Sequence, residues 1–357
     1  MEKVARCPEC KVPQPFNEGQ MWLNNGDIVQ SQNPQARVGF IECENLDPLF
    51  QNIGEIIGLS IEHLIVNIEA RAAEAYMRKL IPQEIRDMVV AMQLDPTYIS
   101  HSIVTLCHIL GYGKYELLGS RYKRDEDDFV KYRITKPFSV PLAAGAMAGA
   151  TSSVVEGEHS ISYQKIAPET YEFTTSWTEY LREFKRRFAI TPYQHADGDI
   201  DLERCSTCGI PKSLSNNKWY LEEGLIVNKE SGRRMALLGP GSLDLLFREL
   251  EKELGETIPE VVVEAQRRFV KTGFYPVSML RDEADLREQL ALRGLGNLRE
   301  IRMARKGLSM RMDNVIGYLL TVGIIQGLFE TAYDVDSKVD WALSEDGDLE
   351  VQVSPKT

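Results

Sequence analysis

Cys7-Pro-Glu-Cys10-Lys-Val-Pro13 and Cys205-Ser-Thr-Cys208-Gly-Ile-Pro211 decide the reading of this 357-residue chain. The two stretches stand 198 positions apart. Each opens the same longer pattern, a Trp followed by Gly-x-Ile-Val: Trp22, Gly26, Ile28 and Val29 in one, Trp219, Gly224, Ile226 and Val227 in the other. After a one-residue slip the match continues at an offset of 197. Arg37 answers Arg234, Leu46-Asp47 answers Leu243-Asp244, Leu49-Phe50 answers Leu246-Phe247, and Gly58 answers Gly255. At a shorter offset Gly111-Tyr-Gly113 answers Gly294-Leu-Gly296, and the Gly145/Gly149 pair answers Gly323/Gly327. Such self-similarity implies a tandem duplication of one domain-sized unit rather than a solenoid of short repeats.

Local patterns give each unit the same order of elements. Trp22-Leu23 and Ile28-Val29 flank Asn24-Asn25-Gly26, which predicts a β-hairpin. Residues 219–221 and 225–227 repeat it around Glu222-Glu223-Gly224. Leu46, Leu49, Phe50, Ile53, Ile56 and Ile57 recur at helical spacing, with Gly58 as a C-cap, and 243–254 repeats them up to Gly255. A second helix is expected over 60–80, capped by Ser60, and over 259–271; further helices are expected over 83–93, 96–110 and 277–292. A strand–helix–strand block closes each unit. It is read as strands 129–134, 161–165 and 171–175 around a small-residue helix 140–155. In the second unit it is a hairpin 298–303/308–312, a helix 315–333 and strands 339–343 and 349–353. The expected fold is α+β, as two homologous modules arranged with pseudo-twofold symmetry. The first spans 1–190 (knuckle 1–40, remainder 41–178) and the second 191–357 (knuckle 203–236, remainder 237–353). An amphipathic stretch 180–188 and a polar stretch 194–201 form the connector.

Composition narrows the function classes. A 43% hydrophobic and 26% charged chain of this length is ordinary for a globular protein with enough apolar residues for two separate cores. Its net charge of −12 argues against general nucleic-acid binding, which needs clustered cations. The one basic run, from Arg293 to Arg311, reads as a solvated hairpin face. No apolar stretch has the length of a membrane span, and no leader-type segment is read in the first 25 residues, so a cytoplasmic protein is expected.

Six cysteines arranged as two Cys-x-x-Cys pairs and two singles, Cys43 and Cys107, point to a metal rather than a disulfide framework. Each unit supplies half of a four-thiolate set, so a closed site draws on Cys7, Cys10, Cys205 and Cys208 of one chain, or on two chains. Closing a loop of roughly 200 residues costs about 5 kcal/mol, while structural zinc in peptides contributes about 10–16 kcal/mol. The metal wins that comparison. Zinc is the expected ion and iron the alternative.

The later part of each unit resembles the 4-vinyl-reductase-type domain family. The resemblance is carried by Gly111-Tyr-Gly113, the strand end Lys136-Pro137-Phe138, the helix Ala143-Ala-Gly145-Ala-Met-Ala-Gly149, Val154-Val155-Glu156-Gly157, and the close Tyr171-Glu172-Phe173. It covers 41–178 and, with a weaker match, 237–353, where Arg311-Met-Asp-Asn314 replaces Lys-Pro-Phe. It implies a binder of small molecules or hydrocarbons, on a fold related to haem-nitric-oxide and vesicle-tethering modules. Cysteines that many members carry in the closing strands are absent here.

Other candidates weigh less. His101 and His108 share a helical face beside Cys107, the spacing of a metal or haem ligand pair, but packed histidines are the commoner case. Cys43 reads as a buried, inert thiol. The glycine pairs Gly145/Gly149 and Gly323/Gly327 lay bare one helix face each, for close packing or for a ligand-binding cleft. The run Asp125–Asp128 reads as a solvated loop, and Gly239-Pro-Gly241 and Gly294-Leu-Gly296 lack the rest of a phosphate loop. No nucleophile–His–acid grouping is legible, so an enzyme is not expected. The leading expectation is a binding or accessory protein for a small hydrophobic ligand or a partner subunit. The alternatives are a reductase or electron-transfer subunit using iron–thiolate or a cofactor in an apolar cleft, and a structural assembly factor. The oligomeric state is left open.

Overall fold

The computed structural model describes residues 4–155, 157–179, 196–239, 242–280 and 282–356. Among them lie ten α-helices and three antiparallel sheets. The chain begins with α1 (Gln14–Gly19) and three strands, β1 (Gln20–Trp22), β2 (Ile28–Gln30) and β3 (Asn33–Glu42). Four helices follow: α2 (Cys43–Ile57), α3 (Glu62–Leu80), α4 (Gln83–Val90) and α5 (Thr97–Leu110). Then come β4 (Lys114–Arg121), β5 (Phe129–Thr135), α6 (Val140–Val154), β6 (Glu158–Ala167) and β7 (Thr170–Thr178). The later half has a short 3₁₀ turn at Lys212–Asn216, then β8 (Asn217–Tyr220), β9 (Leu225–Asn228) and β10 (Arg234–Leu238). Helices α7 (Ser242–Leu254), α8 (Ile258–Val270) and α9 (Glu283–Leu292) lead to β11 (Asn297–Ala304) and β12 (Gly307–Asp313). The chain ends with α10 (Tyr318–Tyr333), β13 (Ser337–Leu343) and β14 (Leu349–Pro355).

Both hairpins form where the turn residues place them, with Trp22 opposite Ile28 and Tyr220 opposite Leu225. Helix α2 stops at Gly58, whose left-handed φ of 77° lets its N–H reach the Gly54 carbonyl. Three expectations shift. Ile61, not Ser60, is the N-cap of α3, and Ser60 Oγ only reaches the Glu62 N–H at 3.5 Å. The helix expected over 277–292 is broken into a 3₁₀ turn at Val277–Leu280 and α9, because the Asp282 carboxylate accepts from the Ala284 and Asp285 N–H groups and starts a new helix there. The acidic run is not wholly solvated: Asp128 is buried, accepting from the Lys123, Arg124 and Asp125 N–H groups and pairing with Arg121. The connector stretch 180–188 and the start of 194–201 lie outside the described residues.

The six-stranded sheet has the order β1-β2-β3-β10-β9-β8, so its two central strands come from opposite halves of the chain. Leu237 pairs with Phe40 and Leu238 with Gly39 at that seam. The two four-stranded sheets have the orders β4-β5-β7-β6 and β11-β12-β14-β13. Helix packing also crosses: α2 lies on α8, and α3 touches α7. The largest apolar core therefore runs through both halves, joining Leu46, Leu49 and Ile53 to Leu246, Val262 and Val263, instead of forming two separate cores.

The Gly-x-Gly segments act in this crossing. The Gly113 N–H donates to the Gly224 carbonyl at 2.9 Å, and the Gly296 N–H donates to the Gly26 carbonyl at 3.3 Å. A Cβ on Gly224 would sit 2.0 Å from the Gly113 oxygen, and one on Gly26 2.4 Å from the Gly296 oxygen. Each turn glycine of one hairpin is thus required by the approach of the other half's backbone. Among the described residues no helix is long and apolar enough to cross a membrane.

Candidate metal centre and apolar cavity

Each Cys-x-x-Cys turn is built the same way. The Cys7 N–H donates to Val12 O at 3.0 Å and the Lys11 N–H back to Cys7 O at 3.1 Å. The Cys205 N–H donates to Ile210 O at 2.8 Å and the Gly209 N–H back to Cys205 O at 2.9 Å. Lys11 and Gly209 both take the left-handed conformation that closes the turn, at φ 63° and 76°. Isolated bridges Arg6–Pro13 and Arg204–Pro211 tie off the two bases.

The two turns meet. Cys7 Sγ lies 3.7 Å from Cys205 Sγ, and Cys10 Sγ lies 3.6 Å from Cys208 Sγ. All four sulfurs fall within 4.8 Å of one another. These separations are far beyond the roughly 2.05 Å of an S–S bond. A tetrahedron of sulfurs about 2.3 Å from a central ion has edges of about 3.8 Å, so this donor set fits one ion bound by four thiolates. Three of the four thiols are shielded: Cys7, Cys10 and Cys205 are buried in a cluster with Val12, Phe16, Trp22, Ile210 and Trp219, while Cys208 is partly exposed.

Polar ties hold the turns together around the sulfurs. Glu9 Oε2 accepts from Ser206 Oγ at 2.7 Å, Thr207 Oγ1 at 2.9 Å and the Thr207 N–H at 3.2 Å. Those hydrogen bonds from Ser206 and Thr207 hold its carboxyl down at about 2. Arg6 Nη2 donates to Trp219 O at 2.9 Å, and Arg204 Nη2 donates to Trp22 O at 3.1 Å, a reciprocal exchange between the halves. At Cys7 desolvation opposes ionisation, but the Cys10 and Glu9 N–H groups outweigh it and bring the thiol to about 7; burial drives Cys10 the other way.

The second feature is a cavity of about 230 Å³ in the first half. It lies between α3, α5, α6 and the β4–β5 face, and its far wall includes Leu237 and Leu238 of β10. Its lining is predominantly apolar and aromatic, with Tyr76, Tyr112, Tyr115, Tyr132 and Phe138 around it. Glu69 of α3 also faces it.

The glycine pairs are packed against helices, Gly145/Gly149 of α6 beside this space and Gly323/Gly327 of α10 in the later half away from it. A Cβ on Gly145 would lie 2.6 Å from Val66 O, and one on Gly149 2.2 Å from Ala70 O, both on α3. Gly323 and Gly327 meet α8 in the same way, at Val263 O (2.7 Å) and the Val270 side chain (2.7 Å). The cavity wall on α6 is made instead by their neighbours Ala146 and Ala150. Of the remaining candidates, His108 is buried, and its Nε2 accepts the Tyr115 N–H at 2.9 Å while its ring packs on Gly224. Burial lowers its pKa. His101 is exposed and bonds to Thr97 O within its own helix. The two histidines therefore share no site. Cys43 is buried at the start of α2, and Cys107 lines the cavity; burial pushes each thiol up to about 12. Within the basic run, Arg293 pairs with Glu42 and Arg299 with Asp199 and Asp313, whereas Arg302, Arg305, Lys306 and Arg311 are exposed.

Sequence reasoning found the four thiols but missed Glu69. Its signal was present: Ile65, Glu69, Ala72, Ala73 and Tyr76 lie on one helical face, so the acid interrupts an apolar stripe.

No protein-family profile matches the chain, and no curated protein is similar to it. Solved structures of H-NOX domains are similar over about a third of it. An H-NOX mutant from T. tengcongensis is 18% identical, covers 32% of this chain and 73% of its own, and has a TM-score of 0.24. An oxygen-binding H-NOX domain related to soluble guanylate cyclases is 16% identical, covers 32% and 71%, and has a TM-score of 0.23.

Proposed function

We propose that this chain is a metal-clamped binding protein: two copies of one knuckle-plus-4-vinyl-reductase-type module, related by a pseudo-twofold axis and joined by zinc at Cys7, Cys10, Cys205 and Cys208. A small hydrophobic ligand would occupy the cavity of the first copy. The observation that carries this reading is the convergence of four sulfurs from both halves of the chain, with 3.6 and 3.7 Å edges across the seam. The palindromic order of the six-stranded sheet, the shared order of the two small sheets and the reciprocal Arg6/Arg204 ties support a duplicated architecture. Zinc held by four thiolates would have no open position for a substrate, so its contribution is structural. The protein's residues do the rest: the knuckles fix the seam, and the aromatic walls exclude water from the cavity.

Metal analysis and a visible spectrum of the purified protein test this. A colourless protein carrying zinc is expected, and replacing both Cys205 and Cys208 with Ser should release the ion and lower the thermal midpoint. Iron–thiolate absorption would move the chain to the electron-transfer class. A double variant with unchanged metal and unchanged midpoint would sink the clamp.

A further inference from the structure

The cavity is not merely apolar. Glu69 projects into it from α3, and among the described residues it has no hydrogen bond and no ion pair. The nearby acid Glu74 is different, being held by Arg71 and Arg78. Arg121 and Asp128, the other charged groups lining the cavity, are paired with each other. Glu69 is therefore the one carboxyl aimed into the space without a counter-charge, at a place where an unpaired polar group costs folding free energy.

The second half makes the same helix contact with an amide in place of the acid. Gly323 packs on Gln266 as Gly145 packs on Glu69, and the offset of 197 that aligns the halves also aligns these two residues. Gln266 is fully buried, and neither its Oε1 nor its Nε2 has a hydrogen-bond partner among the described residues, so it fills the contact by shape alone. An amide thus satisfies the packing, so an acid at 69 is not a requirement of the helix pair.

We infer that the cavity binds an apolar ligand bearing one cationic amine, with the ammonium against Glu69 and the tail among the aromatic side chains. The inference rests on the reading of the cavity as a hydrophobic ligand site. Three properties of the wall favour a cation over other head groups. The carboxylate supplies the charge partner. The faces of Tyr76, Tyr112, Tyr115 and Tyr132 are attractive to a desolvated cation. An anionic head would find no free counter-charge in the wall, because Arg121 is already paired with Asp128. Burial alone pushes the Glu69 carboxyl up to about 8, so the unliganded acid is mostly neutral at pH 7, and an arriving ammonium draws off its proton.

The test uses three probes with one tail, n-decylamine, n-decanol and n-decanoate, titrated calorimetrically into the full-length protein at pH 7 below their aggregation limits. A charge-assisted hydrogen bond predicts that decylamine binds about 10- to 100-fold more tightly than decanol. Glu69→Gln should bring decylamine to the affinity of decanol and leave decanol unchanged. Ala150→Phe, which fills the cavity, should abolish binding of both. If Glu69→Gln proves unstable, Glu69→Ala serves the same comparison. Equal affinities for decylamine and decanol in the unmodified protein, or an amine preference that survives Glu69→Gln, would overturn the amine inference while leaving the hydrophobic site standing. Failure of all three probes to bind would remove both.

Discussion

Replacing Gly149 with Ala should destabilise the protein, although alanine is the better helix former. A new Cβ would lie 2.2 Å from Ala70 O and 2.8 Å from Ala73 Cβ, and the first of these is backbone. Reaching ordinary contact requires α3 to retreat from α6 by roughly 1 Å, which in a packed core costs about 1–3 kcal/mol. The gain in helix propensity is at most about 1 kcal/mol. The close approach is met again four residues earlier at Gly145, so tilting the helices cannot relieve the clash cheaply. A net loss of about 1–2 kcal/mol is expected, a fall of several degrees in thermal midpoint at about 2–4 °C per kcal/mol. Differential scanning calorimetry measures it, with Gly19→Ala as the control. Gly19 has nothing within 4 Å of the added carbon and should show no loss. A Gly149→Ala protein as stable as its parent would refute the reasoning, because the helix pair would then be looser than its contacts state.

Two further perturbations address the crossing of the halves. Tyr112 Oη donates to Leu237 O at 2.9 Å while its ring stacks on Phe138 at 4.4 Å, so Tyr112→Phe keeps the stack and removes the bond. A loss of about 0.5–1.5 kcal/mol in urea unfolding is expected, and no loss would show that the bond contributes nothing to the seam. The second is a pH effect. Burial lowers the pKa of His108, so its neutral form is favoured in the folded protein. Above the unfolded value of about 6.5 its contribution is fully present; as the pH falls below that value the unfolded chain takes up a proton first and stability declines. His108→Gln can still accept the Tyr115 N–H but does not titrate, so the decline should be shallower in that variant. An identical pH profile would place the titration elsewhere.

How far the sequence could be read follows the distance over which each contact acts. The thiolate turns, both hairpins, α2 with its Gly58 cap and the small-residue helices are set by neighbours within a few residues, and all are found in place. Strand β4 was not legible because a register shift between Leu117 and Gly119 breaks the alternation that marks a strand. The seam strands β3 and β10 are buried on both faces over most of their pairing, so they too lack a two-residue period. The docking of each Gly-x-Gly onto the opposite hairpin, and the single core through both halves, join residues more than a hundred positions apart. No local pattern carries that information. A cavity is the absence of side chains, and it shows in sequence only through an anomaly such as Glu69 within an apolar stripe.

Sulfurs from both halves of one chain binding a single ion is the central claim. Native mass spectrometry of the intact protein, with elemental identification of the ion, tests it most directly. The account predicts one zinc per chain, held by monomer or oligomer alike, and lost from the Cys205→Ser/Cys208→Ser protein. A metal-free protein, one ion per two chains, or a double variant that keeps its zinc would contradict it.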